Sequence, residues 1–240
     1  MFEKRNDNIM ADSRHAEGLF IEWSGNLIKA MDAHFAATMR KIKRTQAVRE
    51  WFQEFCHGFE EDGYENEEKT LYTYDHSFRV AELALVLADA MGLERTLKEH
   101  VHKGACLHDI GKLGVSSNIL EKDGRLTAEE VSLIRMHPEI GESIISKFKD
   151  LCLFSDIVRN HHERYDGGGY PDKLKGIDIP YLARIVTIAD SFDAMIGPRS
   201  YRRSLSAREA QREIKEGAGG QFDPEIVAVF NAVLHKLMKG

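Results

Sequence analysis

Two adjacent histidines, His161 and His162, open a run that continues through three glycines to Tyr170 and Pro171. Neutral imidazole and carboxylate groups are common ligands of divalent transition metals. More side chains of these two kinds lie elsewhere in the chain: His76, His108, Asp109, His137 and Asp190. Residues of these types in this order predict a metal-dependent hydrolase.

His108 and Asp109 are adjacent, and Gly111 follows at the point where the apolar pattern of the preceding helix stops. Adjacent helical residues point about 100° apart, so both can reach one ion only if that ion lies close to them. The second carboxylate oxygen of Asp109 then remains free to bridge to another ion. We therefore expect this pair at a helix end, facing the site.

The elements that carry these residues are predicted to be helices. Apolar residues recur three and four positions apart, and alternating β-branched runs are scarce, so the periodicity predicts an all-α fold. The predicted helices span residues 74–91, 97–107, 127–136, 138–148, 155–162, 183–195, 207–216 and 224–238. Thr127 with Glu130 and Ser206 with Glu209 fit the capping box. Asp223 before Pro224 fits an N-cap.

The chain divides into two predicted parts, an N-terminal helical extension and linker at residues 1–69 and a main domain at residues 70–240. A stripe of large apolar residues at helical spacing runs from Phe20 to Ile42. Two interpretations stay open. The stripe forms a homodimer or regulatory-protein interface, or it packs on the main domain of the same molecule.

Composition narrows the class of protein. The formal net charge of −6 does not indicate binding to a nucleic-acid polymer. Charges interrupt every hydrophobic run, so neither a signal peptide nor a membrane span is expected, and the predicted location is the cytoplasm. Cys56, Cys106 and Cys152 are scattered, which argues against a disulfide framework or a thiolate zinc site and suggests buried thiols.

Several short motifs occur together in a fixed order. They are Asp109-Ile110-Gly111-Lys112, His137-Pro138-Glu139-Ile140-Gly141, the run from His161 to Pro171, Ala183-Arg184-Ile185 leading to Ala189-Asp190-Ser191-Phe192-Asp193-Ala194-Met195, and Gly220-Gln221-Phe222-Asp223-Pro224. In this combination the chain resembles the HD superfamily of metal-dependent phosphohydrolases, and within it the HD-GYP cyclic di-GMP phosphodiesterases. The resemblance covers residues 70 to 240 and implies an HD-domain helical bundle acting in bacterial second-messenger signalling.

The resemblance implies two metal ions bridged by Asp109. One ion would be held by His76, His108, Asp109 and Asp190, and the other by Asp109, His137, His161 and His162. Mixed imidazole and carboxylate ligands favour iron or manganese, with zinc, nickel or cobalt as possible substitutes. Some family members bind a third metal through a glutamate one turn before the residue matching His76. Tyr72 stands there, so a dinuclear centre is expected.

Two metals can convert water to hydroxide at neutral pH and clamp phosphoryl oxygens, which is the chemistry of phosphodiester hydrolysis. The expected catalytic residues are Asp109 and Lys112, the latter neutralising a non-bridging oxygen. Tyr170 offers a ring and a hydroxyl to the substrate, and Arg199 and Arg202 match family positions suited to gripping its phosphates.

The implied reaction is cleavage of cyclic di-GMP to pGpG, to GMP, or to both. Two alternatives stay open: hydrolysis of another cyclic dinucleotide or nucleotide, and a catalytically silent module that binds cyclic di-GMP or another partner. Within the glycine-rich loop, Asp166 is expected to stabilise the turn. Glu163 either orients a ligand histidine or stays solvated.

Overall fold

The computed structural model describes residues 29, 31–33, 35–37, 69–122, 124–197 and 204–238, the side chains of residues 69–75 excepted. The α-helices are α1 (Lys69–Ala90), α2 (Arg95–Leu107), α3 (Ser117–Leu120), α4 (Ala128–Ile134), α5 (His137–Ile145), α6 (Ser155–Asn160), α7 (Tyr181–Ile196), α8 (Ala207–Glu216) and α9 (Pro224–Met238). Short 3-10 helices span Ile110–Gly114, Cys152–Phe154 and Gly176–Asp178. These ranges contain no β-strand, only an isolated bridge between Ala218 and Phe222. The all-α prediction is confirmed.

Helix α1 lies at the centre of the bundle. It packs against α2, α7 and α9, and every residue from Val80 to Ala88 is buried. A helix that is buried on all sides has to be surrounded by other elements. Phe192 of α7 and Phe230 of α9 meet edge to face beside it, with ring centroids 5.3 Å apart. His76 and Asp190, which lie within α1 and α7, are therefore carried by helices of a closely packed core.

A second apolar cluster lies under α5 and α6. It comprises Met31, Leu107, Ile145, Leu151, Phe154 and Val158. Met31 is fully buried there and Phe35 contacts the ring of His102 edge to face at 5.4 Å. These two residues of the N-terminal stripe pack on the main domain. The rest of the stripe, Cys56 and the predicted linker up to residue 68 lie outside the described residues, and the domain boundary at residue 70 stays a prediction.

The predicted helix ends follow local signals closely. Both capping boxes form, at Thr127 and at Ser206. The amide of Glu225 donates to Asp223 Oδ1 at 2.9 Å, so the predicted N-cap is also present. The prediction of buried thiols is wrong for Cys152, which is exposed, because it sits on an outward-facing turn of a 3-10 helix. None of the described helices is both long and apolar enough to span a membrane.

Candidate metal centre

Five helices bring all seven predicted ligands to one place. His76 lies in α1, His108 and Asp109 follow the last residue of α2, and Asp190 lies in α7. The other three are His137 at the start of α5 and His161 and His162 just after α6. Every one of the five histidines has its imidazole ring within 5.3 Å of the ring of another. The ends of helices, rather than their middles, supply most of the cluster.

Glycine permits the close approach of the 3-10 helix after Asp109 to helix α5. A Cβ atom built on Gly111 would lie 1.8 Å from the carbonyl oxygen of His137 and 2.5 Å from the amide nitrogen of Gly141. Any larger residue at position 111 would push the two elements apart. Gly111 therefore sets how close Asp109 comes to His137.

Each of four imidazoles is fixed through its Nδ1 atom. His108, His137 and His161 donate from Nδ1 to the backbone carbonyls of Ala105, Ile134 and Val158, at 2.6, 2.7 and 2.9 Å. His76 donates from Nδ1 to Asp193 Oδ2 at 2.6 Å. A carbonyl oxygen only accepts, so His108, His137 and His161 carry a proton on Nδ1, and in the neutral ring the lone pair is on Nε2. This is the arrangement that metal-binding histidines use.

The Nε2 atoms of His108, His137 and His161 face one another and the carboxylates. His137 Nε2 and His161 Nε2 lie 3.2 Å apart. His108 Nε2 is buried with no hydrogen-bond partner, 3.4 Å from Asp109 Oδ2 and 3.8 Å from Asp190 Oδ1. Buried lone pairs that point at each other are unfavourable unless a cation or proton lies between them. The donor set therefore fits a metal ion.

The ligand atoms form two groups that share Asp109. One contains His76, His108 and Asp109, and the other contains Asp109, His137, His161 and His162. Asp109 Oδ2 lies 3.7 Å from His76 Nε2 and 3.4 Å from His108 Nε2, while Asp109 Oδ1 lies 3.3 Å from His137 Nε2. Asp190 Oδ1 lies 3.2 Å from His76 Nε2. The two oxygens of Asp109 thus face different sets of imidazoles.

Burial and charge set the protonation of the cluster. Burial lowers the pKa of His161 well below 6.5 and that of His162 to about 4, so both rings are neutral. Burial would also lower the pKa of His76, but the carboxylates of Asp190 and Asp193 raise it to about 9. Burial would raise the pKa of Asp109, but Lys112 and the imidazoles lower it well below its usual value. Carboxylates and neutral imidazoles are the forms that bind metal. Asp109, His161 and His162 already have that form, whereas His76 without an ion is an imidazolium at neutral pH and would give up its Nε2 proton on binding one.

A family model described as HD domain matches residues 26–226. The chain belongs to the HD-domain family. It is 40% identical over 167 residues to a Thermotoga maritima protein named cyclic di-GMP phosphodiesterase, a match that covers 69% of this chain and 45% of the relative. It is 35% identical over 163 residues to a Vibrio cholerae protein named 3'3'-cGAMP-specific phosphodiesterase 2, covering 67% of this chain and 31% of the relative. The chain thus matches less than half the length of each relative.

A solved structure supports the fold. A Bdellovibrio bacteriovorus protein described as "Bd1817, a HDG"Y"P protein" superposes with a TM-score of 0.66 at 22% identity, covering 87% of this chain and 63% of that one. The predicted HD-domain helical bundle is therefore confirmed. Family membership and the histidine and aspartate cluster together indicate binding of a divalent metal.

Hydrogen bonds and ion pairs fix both ends of the glycine-rich loop of this HD-domain protein, residues 163–172. The amide of Asp172 donates to Glu163 Oε1 at 2.6 Å. Arg159 pairs with both oxygens of Asp172, at 2.7 and 2.8 Å. The amide of Gly168 donates to Asp166 Oδ1 at 2.8 Å, which is the role predicted for Asp166. Glu163 is buried and therefore not solvated. Its carboxylate accepts from the amide of Asp172 at the end of the loop and does not orient a ligand histidine.

Tyr170 is held against the cluster. Its ring stacks on that of His162 with centroids 4.9 Å apart and planes 24° apart, and its amide donates to the carbonyl of His162 at 3.3 Å. A Cβ atom built on Gly169 would lie 2.4 Å from the amide nitrogen of Arg164 and 2.5 Å from the Cα of Glu163. The loop folds back this tightly only with glycine at position 169.

Sequence reasoning missed the role of Asp193. This residue is fully buried and accepts hydrogen bonds from His76 Nδ1 and from Arg79 Nε, at 2.6 and 2.7 Å. A signal was present, since Asp193 lies three residues after Asp190 and so on the same face of α7. Histidine ligands commonly donate to a carboxylate in this way.

Some predicted residues lie outside the part of the chain that the structure describes. Arg199 and Arg202 fall in residues 198–203, and the side chain of Tyr72 in α1 is likewise not described. Lys112 is described, and its ammonium group contacts Asp109 Oδ2. The 3-10 helix places it there, since α2 ends at Leu107.

Proposed function

We propose that this HD-domain chain hydrolyses the phosphodiester bonds of cyclic di-GMP, to pGpG, to GMP, or to both. The observation that carries the proposal is the position of Asp109, whose two carboxylate oxygens face two different groups of imidazoles. A carboxylate in this position is suited to bridging two ions. The name of the Thermotoga maritima relative supplies the substrate.

In this proposal Asp109 would contribute to binding two divalent ions. His76, His108 and Asp190 would hold one of them together with it, and His137, His161 and His162 would hold the other. Iron and manganese suit mixed imidazole and carboxylate ligands, and zinc, nickel or cobalt could occupy the same atoms. When bound, two such ions activate water as a nucleophile and withdraw charge from the phosphoryl oxygens.

The chain's own residues position the substrate and complete the charge balance. Lys112 is about one-third exposed, with a side-chain relative accessibility of 32%, and its ammonium group adjoins Asp109. It can therefore meet a non-bridging phosphoryl oxygen and offset the negative charge that builds there in the transition state. Tyr170, fixed on His162, presents its hydroxyl to the substrate. Arg199 and Arg202 bind its phosphates.

A product assay on anaerobically purified protein tests the proposal. Metal content is measured on the same sample, and cyclic di-GMP, 3'3'-cGAMP and cyclic di-AMP are supplied separately. We expect pGpG or GMP from cyclic di-GMP, and no product after the ions are removed by chelation. Absence of hydrolysis by protein that carries two ions contradicts the proposal. If cyclic di-GMP binds without reacting, the protein is an interaction module instead.

The name of the Vibrio cholerae relative favours a second substrate, 3'3'-cGAMP. The same panel decides between the two, because a higher kcat/KM for 3'3'-cGAMP would assign the chain to that reaction.

We also propose that the part of the N-terminal stripe outside the described residues forms a homodimer or regulatory-protein contact. Met31 and Phe35 cannot take part, since both are already buried in the bundle. Light scattering over a range of concentrations tests the homodimer, and a monomer at every concentration contradicts it.

A further inference from the structure

Arg135 lies beside the cluster at a position that the backbone fixes. Helix α4 starts at the capping box of Thr127, and the amide of Arg135 donates to the carbonyl of Val131 at 3.0 Å in its last turn. His137 follows two residues later and begins α5. The backbone of Arg135 is therefore held by the same short segment that places a predicted ligand.

The side chain of Arg135 contacts the glycine-rich loop. Its guanidinium carbon lies 5.3 Å from the centroid of the Tyr170 ring, which is within range for a cation–π interaction. Tyr170 in turn stacks on His162. A continuous line of contact thus runs from His162 through Tyr170 to Arg135, with the arginine at the outer end.

Arg135 is exposed and forms no ion pair within the described ranges. Other arginines near the site differ in this respect. Arg159 pairs with Glu142 and Asp172, Arg164 pairs with Asp166, and Arg79 pairs with Asp193. In a chain of net charge −6, a guanidinium at the rim of the cluster that no described carboxylate pairs with creates a local attraction for an anion.

We propose that Arg135 binds the substrate phosphate that is not being cleaved. The cleaved phosphate must contact the ligand cluster, and Arg135 is separated from His162 by Tyr170, so the arginine reaches a more distant part of the substrate. In a cyclic dinucleotide the other anionic group is the second phosphodiester. Guanidinium donates two parallel hydrogen bonds to phosphate oxygens. This inference rests on the proposed function, because only a substrate with two phosphates can use the contact.

Steady-state kinetics of Arg135→Gln test the inference on two substrates. For cyclic di-GMP we expect KM to rise about 10- to 100-fold, the range for losing a charge-assisted hydrogen bond, with kcat within about twofold. For bis(p-nitrophenyl) phosphate, which has one phosphate, both constants should stay unchanged. Arg135→Lys keeps the charge and should recover part of the lost affinity. Arg212→Gln, an exposed arginine of α8 with no ion pair in the described residues, is the matched control.

Equilibrium binding provides a readout separate from turnover. The probe is a slowly hydrolysed phosphorothioate analogue of cyclic di-GMP, titrated calorimetrically at several salt concentrations. Arg135→Gln should weaken binding by the same factor as KM and reduce its dependence on salt. An unchanged Kd and KM for Arg135→Gln overturns the inference, as does an equal loss of activity on both substrates, which would indicate a structural effect. If the metal-loaded wild type does not hydrolyse cyclic di-GMP but the analogue still binds through Arg135, only the proposed function fails.

Discussion

Replacing Asp193 with asparagine tests whether the orientation of His76 controls one of the two ions. Asp193 is fully buried and accepts from His76 Nδ1 at 2.6 Å and from Arg79 Nε at 2.7 Å. Asparagine keeps one oxygen, but its amide nitrogen donates, so in either orientation of the amide a donor opposes His76 Nδ1 or the Arg79 guanidinium. We expect Asp193→Asn to hold the His76 ring less firmly in its present orientation.

The magnitudes follow from this geometry. Losing the carboxylate behind a metal-binding histidine lowers metal affinity by about 10- to 100-fold. Removing one charge of a buried ion pair lowers the free energy of unfolding by about 3–5 kcal/mol. We expect the lower end of this range, because the side chain of Arg79 is 19% exposed and water can partly solvate its charge. Only the ion that contacts His76 should be affected. The ion assigned to His137, His161 and His162 should remain.

Metal content after dialysis against graded chelator gives the affinity of each ion, and urea unfolding of metal-free protein gives the stability. Asp89→Asn is the control, because Asp89 pairs with Lys98 at 2.5 Å near the surface, away from the cluster. The control should lose no more than about 1 kcal/mol. If Asp193→Asn retains two ions with wild-type affinity, the orientation of His76 by this carboxylate does not matter for metal binding.

Three other predictions concern the shared carboxylate of Asp109, the glycine-rich loop and the proposed phosphate-binding residue Arg199. Asp109→Ala should abolish cyclic di-GMP turnover and reduce the number of bound ions, because both groups of imidazoles lose their shared carboxylate. Turnover by a variant verified to hold two ions would contradict the proposed bridging role of Asp109. Gly169→Ala should lower the free energy of unfolding in urea by about 1–3 kcal/mol, since its Cβ would lie 2.5 Å from the Cα of Glu163. Gly220→Ala is the control and should cost less, because its Cβ would meet nothing closer than 3.5 Å. Equal costs would show that the loop adjusts to the alanine without loss of stability. Arg199→Ala should raise KM for cyclic di-GMP with little change in kcat, and an unchanged KM would remove this residue from the binding site.

Local signals explain why the helices were predictable. The capping boxes at Thr127 and Ser206 and the N-cap at Asp223 each satisfy backbone groups only a few residues away. Helix boundaries differ most where no such signal exists, as at Lys69, which begins α1 five residues before the predicted start at Tyr74. The position of the Lys112 side chain also depends on local structure, because a 3-10 helix carries this residue and α2 does not continue to it.

Contacts across the bundle were harder to predict. His108, His137 and His161 donate to carbonyls three residues earlier, so their Nδ1 partners depend on helix position alone. His76 donates instead to Asp193, which is 117 residues away in sequence. The spacing of Asp190 and Asp193 on one helical face hinted at this contact, but it could not show which histidine would use it.

The sequence by itself determined the all-α class, the helix caps and the types of the candidate ligands, because each follows from residue identity and near-neighbour spacing. The tertiary structure alone decided that the two oxygens of Asp109 face different imidazoles and that Arg135 reaches Tyr170. The reason is physical. Side chains from separate helices meet only when the core fixes the distance and rotation between those helices, and that packing depends on the whole set of buried residues at once.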